Sequence, residues 1–167
     1  MHKKLSSATF LILLGSMAIS GCIALSPAKT EDEFGHRIDG VSEDGRRTIL
    51  ISPPDGVTEY RFFDATYETV TIRPAKITDQ LVAVPVEVLI KGSFPDSCSE
   101  LHEVVQQRAG NIILVTLTMR RPQGAVCASV LRPYRYYLDL DGEYAVGSYS
   151  LKLNEDSHPF VVRTTTQ

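Results

Sequence analysis

The chain has 167 residues, 17 Lys+Arg against 20 Asp+Glu, a formal charge of −3 and no tryptophan. That length suits one domain of ordinary size with a sizeable core. The mild acidity argues against a nucleic-acid partner, and Gly and Pro are too few for a disordered chain.

The N-terminus opens on a short positive head, Met1-His2-Lys3-Lys4. An apolar run follows through Phe10-Leu11-Ile12-Leu13-Leu14 to Met17, Ala18 and Ile19, and ends in the small residues Ser20 and Gly21. Head, apolar middle and small-residue exit are the three parts of a secretory signal. The apolar stretch is too short for the ~20 residues that span a bilayer. Ile19-Ser20-Gly21-Cys22 resembles the lipobox of bacterial lipoproteins. The resemblance implies cleavage after Gly21 and lipid on Cys22, where several acyl chains give stable anchoring. An uncleaved helix anchor, or a plain signal with an incidental cysteine, are the alternatives. Losing residues 1–21 removes Lys3 and Lys4 and takes the formal charge from −3 to −5. Ile23, not an acidic residue, follows the lipidated position. In a cell with two membranes the lipoprotein resemblance then implies the outer membrane, with the domain facing the periplasm.

With Cys22 assigned to lipid, Cys98 and Cys127 remain as an even pair in an oxidising compartment, where a disulfide is expected. Two free thiols, or a metal site of Cys98, His102 and Cys127, stay open as alternatives. Residues 23–36 carry Pro27, Lys29, Thr30, Glu31, Asp32 and Glu33 and read as a polar tether. The division is therefore a signal over 1–21, a lipidated N-terminus and tether over 22–40, and a β-sandwich domain over 41–167.

From Thr48 the pattern is β. Thr48-Ile49-Leu50-Ile51 is a short strand stopped by Pro53-Pro54-Asp55-Gly56, a strong turn signal. Residues 57–63 and 66–73 are expected to pair with each other. Val84, Val86, Val88 and Ile90 alternate with Pro85, Glu87, Leu89 and Lys91 at period two. Gly92 to Cys98 reads as a loop and Glu100 to Arg108 as a strand, with a short helix capped by Ser97 as the alternative. Ala109-Gly110-Asn111 is a hairpin turn. Ile113, Val115, Leu117 and Met119 line one face of a long strand that ends at residues 120–124. Three more stripes follow: Tyr134, Tyr136, Leu138 and Leu140; Tyr149, Leu151 and Leu153; Phe160 and Val162. Short strands at intervals of eight to twelve residues, with no sustained helical period, predict an all-β, antiparallel sandwich of immunoglobulin-like type.

Residues 84–162 resemble a family of small secreted and lipid-anchored bacterial domains with an immunoglobulin-like β-sandwich fold. The carrying residues are Gly92-Ser93-Phe94-Pro95-Asp96-Ser97-Cys98, Arg108-Ala109-Gly110-Asn111-Ile112-Ile113, Arg121-Pro122 with Cys127, Leu131-Arg132-Pro133-Tyr134, and the run from Gly147 to Asn154. The family-like core spans 64–164. The resemblance implies that Cys98 and Cys127 pair, and it carries no motif of known chemistry. The sequence departs at Glu155-Asp156-Ser157-His158-Pro159, where the family has a tight glycine turn.

Catalytic motifs do not emerge. His36, His102 and His158 stand in no spaced pair, and no Gly-x-Ser-x-Gly elbow occurs. Asp139-Leu140-Asp141-Gly142-Glu143 lacks ligands of an EF-hand loop. An enzyme, a metal or a cofactor is therefore not expected. Arg120, Arg121, Arg132 and Arg135 are expected to gather near Cys127, and Tyr137 shares a strand face with Arg135. Arg121, Arg132, Arg135 and Tyr137 are the candidate binding residues, since arginine and tyrosine favour binding surfaces. The expected function is a membrane-anchored, non-enzymatic binding or accessory module for another envelope protein. The alternative is a small-ligand carrier or inhibitor that uses the arginine-tyrosine strand.

Overall fold

The computed structural model describes residues 36–38, 40–77 and 82–164. The signal, Cys22 and residues 23–35 of the tether lie outside the described residues. No helix among the described residues is long and apolar enough to cross a membrane.

The domain is all-β and built from two main sheets. In the N-terminal part run β1 (His36–Arg37), β2 (Val41–Glu43), β3 (Arg46–Leu50), β4 (Tyr60–Asp64), β5 (Thr69–Pro74) and β6 (Ala83–Val84). The longer strands follow as β7 (Val86–Phe94), β8 (Glu100–Ala109), β9 (Ile112–Pro122) and β10 (Arg132–Asp139). The chain ends in β11 (Tyr144–Ala145), β12 (Gly147–Leu153) and β13 (Asp156–Val162). One sheet has the order β1-β10-β7-β5. The other runs β13-β12-β9-β8-β3-β2, with β4 also on β9. The pairs are antiparallel except β1 on β10 and β12 on β9, which are parallel. His36, the last residue of the expected tether, is thus already in the sheet beside Tyr136.

The period-two stripes face inward. Val86, Val88 and Ile90 of one sheet meet Ile113, Val115, Leu117, Leu151 and Leu153 of the other, all nearly inaccessible to water. Each such side chain contributes about 1.5–3 kcal/mol by leaving water. Gln106, buried on β8, links the sheets by polar contacts: its Nε2 donates to Asp139 O at 3.1 Å and its Oε1 accepts from Asp141 N at 3.0 Å.

Tight turns hold the strand pairs. Asp44 (φ 51°) and Gly45 (φ 73°) make a two-residue turn between β2 and β3, the conformation that matches strand twist. Gly110 and Asn111 close β8 onto β9, with Gly110 at φ 63°. In the expected turn after Pro54, Asp55 Oδ1 accepts from the amides of Val57 and Thr58 at 3.0 and 2.8 Å, and Oδ2 accepts from the Thr58 hydroxyl at 2.7 Å. The Thr58 amide and hydroxyl, then the Val57 amide, bring the Asp55 carboxyl from the ordinary 3.8 down to about 2. A depressed carboxylate adds stability above its unfolded value, and that contribution is lost as pH falls through the folded value. Carboxyl NMR of Asp55 is therefore expected to titrate near pH 2, and Asp55→Asn to remove the acid response of this turn. A midpoint at 3.8 would show that the turn does not hold the carboxylate.

Two expectations need correction. Residues 57–63 and 66–73 do not pair: β4 lies on β9 and β5 on β7, in different sheets. The intervening residues cross over, held by Tyr134 Oη donating to Thr66 O at 2.8 Å and Tyr67 Oη donating to Asp156 Oδ2 at 2.6 Å. Gly92 to Phe94 is strand, not loop, because β7 continues opposite Arg132 to Tyr134. Gly92 is there for space: a Cβ would sit 2.5 Å from Thr66 O and 2.7 Å from the Tyr134 ring.

Candidate functional site

One end of the sandwich gathers the chemistry. Residues 95–99 enter β8, residues 123–131 leave β9, and β4 begins beside them. Cys98 and Cys127 are joined, with Cα atoms 5.7 Å apart. Ser97 reinforces the join: its amide donates to Ala128 O at 3.0 Å and its hydroxyl accepts from Ala128 N at 2.9 Å. Segment 123–131 is therefore pinned at its middle by one covalent and two hydrogen bonds. The metal reading of Cys98, His102 and Cys127 gives way to this bond. His102 turns elsewhere, Nδ1 donating to Ser52 O at 2.9 Å with its ring 4.6 Å from Phe62.

Asp96 organises residues 95–99. Its Oδ1 accepts from the amides of Cys98 and Ser99 at 2.9 and 2.8 Å and from the Ser99 hydroxyl at 2.9 Å. Such an Asx turn replaces the helix cap that Ser97 suggested. Desolvation pushes the Asp96 carboxyl upward, but these donors and Arg121 together hold it below the usual carboxylate value.

The arginines divide. Arg132 donates from Nε to Asp96 O at 3.2 Å and from Nη2 to Ser99 O at 2.5 Å, and stacks 4.8 Å over Phe94. It clamps the turn. Arg121 Nε lies 3.0 Å from Asp96 Oδ2, an ion pair whose angle leaves Nε without an aligned hydrogen-bond acceptor. Arg120 points to the other face of β9. It pairs with Glu100 at 2.7 Å, lies 4.2 Å over the Tyr60 ring and is almost wholly buried. Arg135 sits three residues along β10 from Arg132, opposite Lys91. Tyr137 is buried opposite Leu89. Of the four candidate binding residues, the structure brings Arg121 and Arg132 together at the disulfide end and leaves Arg135 and Tyr137 in the sheet.

Arg61 was not expected here. It stands directly opposite Arg121 in the β4–β9 ladder. Only that pairing reveals it, and no local pattern in residues 57–63 announces a partner strand sixty residues away. Both arginines line a groove of about 340 Å³ with Pro122, Gln123, Gly124 and Ala125. A second hollow of about 260 Å³ shares both arginines and adds Phe63, Pro95, Asp96 and Ser99.

Residues 88–162, from within β7 to the end of β13, match the family described as the ORF11 beta-sandwich domain. Two proteins of Herpetosiphon aurantiacus are each similar to 70 residues of the chain. The uncharacterized 10.2 kDa protein in the HgiCIIM 5′ region is 33% identical over 70 residues, 42% of this chain and 74% of that protein. The chain belongs to this β-sandwich family. The corresponding 10.2 kDa protein in the HgiBIM 5′ region is 31% identical over 70 residues, 42% of this chain and 85% of its own length. No solved structure matches. The family region holds both cysteines, Arg121 and Arg132. Strand β4 with Arg61 lies before it, so the groove joins a family strand to a strand outside the match.

Proposed function

We propose that the protein is a lipid-anchored envelope module that acts without catalysis, by docking another envelope protein at the disulfide-braced end of its sandwich. The supporting observation is segment 123–131. It carries Val126, fully exposed, with Leu131 and Val130 also exposed, on a backbone held by the Cys98–Cys127 bond and by Ser97. Apolar side chains on a restrained loop bind with little ordering cost, and clustered exposure of this kind marks interaction surfaces. Cys22 supplies the anchor and residues 23–35 the reach. In a cell with two membranes the domain sits at the outer membrane, facing the periplasm. The carrier or inhibitor reading has less support, because Arg132 spends its donors on loop carbonyls and Tyr137 is buried.

Two measurements test the two parts of this proposal. Growth with an alkyne-tagged palmitate is expected to label the wild type and not Cys22→Ala; equal labelling of both overturns the anchor. A photo-crosslinking amino acid at Leu131 is expected to give a discrete adduct in intact cells, absent when the same group replaces Lys152 on β12. No adduct, or the same adduct from both positions, overturns the docking end.

A further inference from the structure

Arg61 and Arg121 form a like-charged cross-strand pair. Directly opposed residues of an antiparallel ladder have Cβ atoms about 5 Å apart, and like charges there are destabilising. Such a pair persists where counter-charge is supplied. Within this domain the supply is half complete. Among the described residues Asp96 is the one carboxylate paired with either guanidinium, and its Oδ1 is already taken by Cys98 and Ser99. Its Oδ2 reaches Arg121 without a directed hydrogen bond. Arg61 is exposed, and its guanidinium has no hydrogen bond or ion pair among the described residues. The locality is thus positive in a chain whose overall charge is negative.

The groove between them has the shape for a chain segment rather than an ion alone. Arg61 and Arg121 are common to both hollows, which extend to Ala125 on one side and to Pro95 on the other. Pro95, Pro122, Ala125 and Phe63 give it apolar walls. Guanidinium groups bind carboxylates through paired, charge-assisted hydrogen bonds. Apolar walls beside them accept an aliphatic neighbour.

We infer that the Arg61–Arg121 groove binds a short acidic peptide segment of a partner protein, a carboxylate completing the counter-charge of the two arginines while an adjoining aliphatic side chain packs on Pro122 and Ala125. The inference rests on the docking role proposed above and names the chemistry of the partner.

The test uses the full-length protein and a fluorescein-labelled hexapeptide alternating glutamate and leucine, read by anisotropy. Binding is expected, weakened about tenfold or more by Arg61→Gln and by Arg121→Gln, and weakened by added salt. Arg61 is exposed, so Arg61→Gln is expected to keep the thermal midpoint of the wild type. Arg61→Glu is expected to lose the glutamate peptide as well. Binding that the glutamine-for-glutamate peptide reproduces, or that survives Arg61→Gln and Arg61→Glu unchanged, overturns the inference. Inorganic phosphate and phosphatidylglycerol vesicles serve as competitors. Displacement by unlabelled acidic peptide and not by equal phosphate supports the peptide. Equal displacement by phosphate, or vesicle binding that needs Arg61, overturns it in favour of an anion or headgroup site. A Leu131 adduct in cells together with no peptide binding would remove this groove and leave the docking role standing.

Discussion

Replacing Cys98 and Cys127 together by alanine is expected to lower the unfolding free energy by about 3–4 kcal/mol. The two residues are 29 apart, and a cross-link of that span removes loop-closure entropy from the unfolded chain on that scale. The closed loop contains the whole β8–β9 hairpin, which the native ladder already organises. The bond therefore acts mainly on the unfolded state. Urea denaturation of oxidised wild type against the double variant measures the difference, and the thermal midpoint is expected to fall by about 10 °C for a domain of this size. A loss below about 1 kcal/mol would show that the cross-link constrains little. The Ser97–Ala128 hydrogen bonds add about 1 kcal/mol each to the native side.

The second large effect is expected at Asn154. Strand β9 changes partner along one edge: β12 accompanies Ile112 to Val115, and β4 accompanies Thr118 to Pro122. Leu117 falls at the change. Its amide donates to Asn154 Oδ1 at 2.9 Å, and its carbonyl accepts from Ala65 N at 2.9 Å. Asn154 Nδ2 also reaches Leu117 O at 3.3 Å and Ala65 O at 3.4 Å. A side chain thus stands in for a missing strand. Asn154 also takes φ 51° in the two-residue turn between β12 and β13. Asn154→Ala leaves the buried Leu117 amide without its acceptor, about 1–3 kcal/mol, and places alanine in the left-handed region, about 1–2 kcal/mol more. The expected total is about 2–5 kcal/mol. Asn154→Gly relieves the backbone part alone, and Asn154→Asp keeps the acceptor. Stabilities are expected in the order wild type, Asp, Gly, Ala. Glycine equal to wild type would show that the Leu117 hydrogen bond adds nothing.

Much of this fold is written locally. The apolar stripes Val84 to Ile90, Ile113 to Met119, Tyr134 to Leu140 and Tyr149 to Leu153 announce most of β7, β9, β10 and β12 with their inward faces, and Gly110-Asn111 announces the hairpin. Where the determinant is a partner far along the chain, local reading fails. Residues 57–63 and 66–73 look like neighbours because short spacing favours hairpins, yet β4 and β5 enter opposite sheets. Gly92 suggests a loop because glycine breaks strands; here it makes room for Tyr134 and Thr66, two positions distant in sequence. The last hairpin turns without the family's glycine, on Asn154-Glu155, where Asn154 tolerates positive φ. At the candidate site, Cys98, Cys127, Arg121 and Arg132 are visible as residue types. Their division into clamp and groove wall depends on Asp96 and Arg61, and only the ladder places Arg61.

The position of the cysteines also orders events in time. Cys98 lies just before β8 and Cys127 just after β9, so the thiols stand at the open end of one hairpin whose turn is Gly110-Asn111. A hairpin zips in about 1–10 μs, whereas uncatalysed thiol oxidation takes seconds or longer. The strands therefore align first, and the chemistry follows. A slip of one residue would send Ile113, Val115 and Leu117 to the wrong face and carry the two sulfurs out of reach of each other. Oxidation thus works as a proofreading step, sealing only a hairpin whose register is already right.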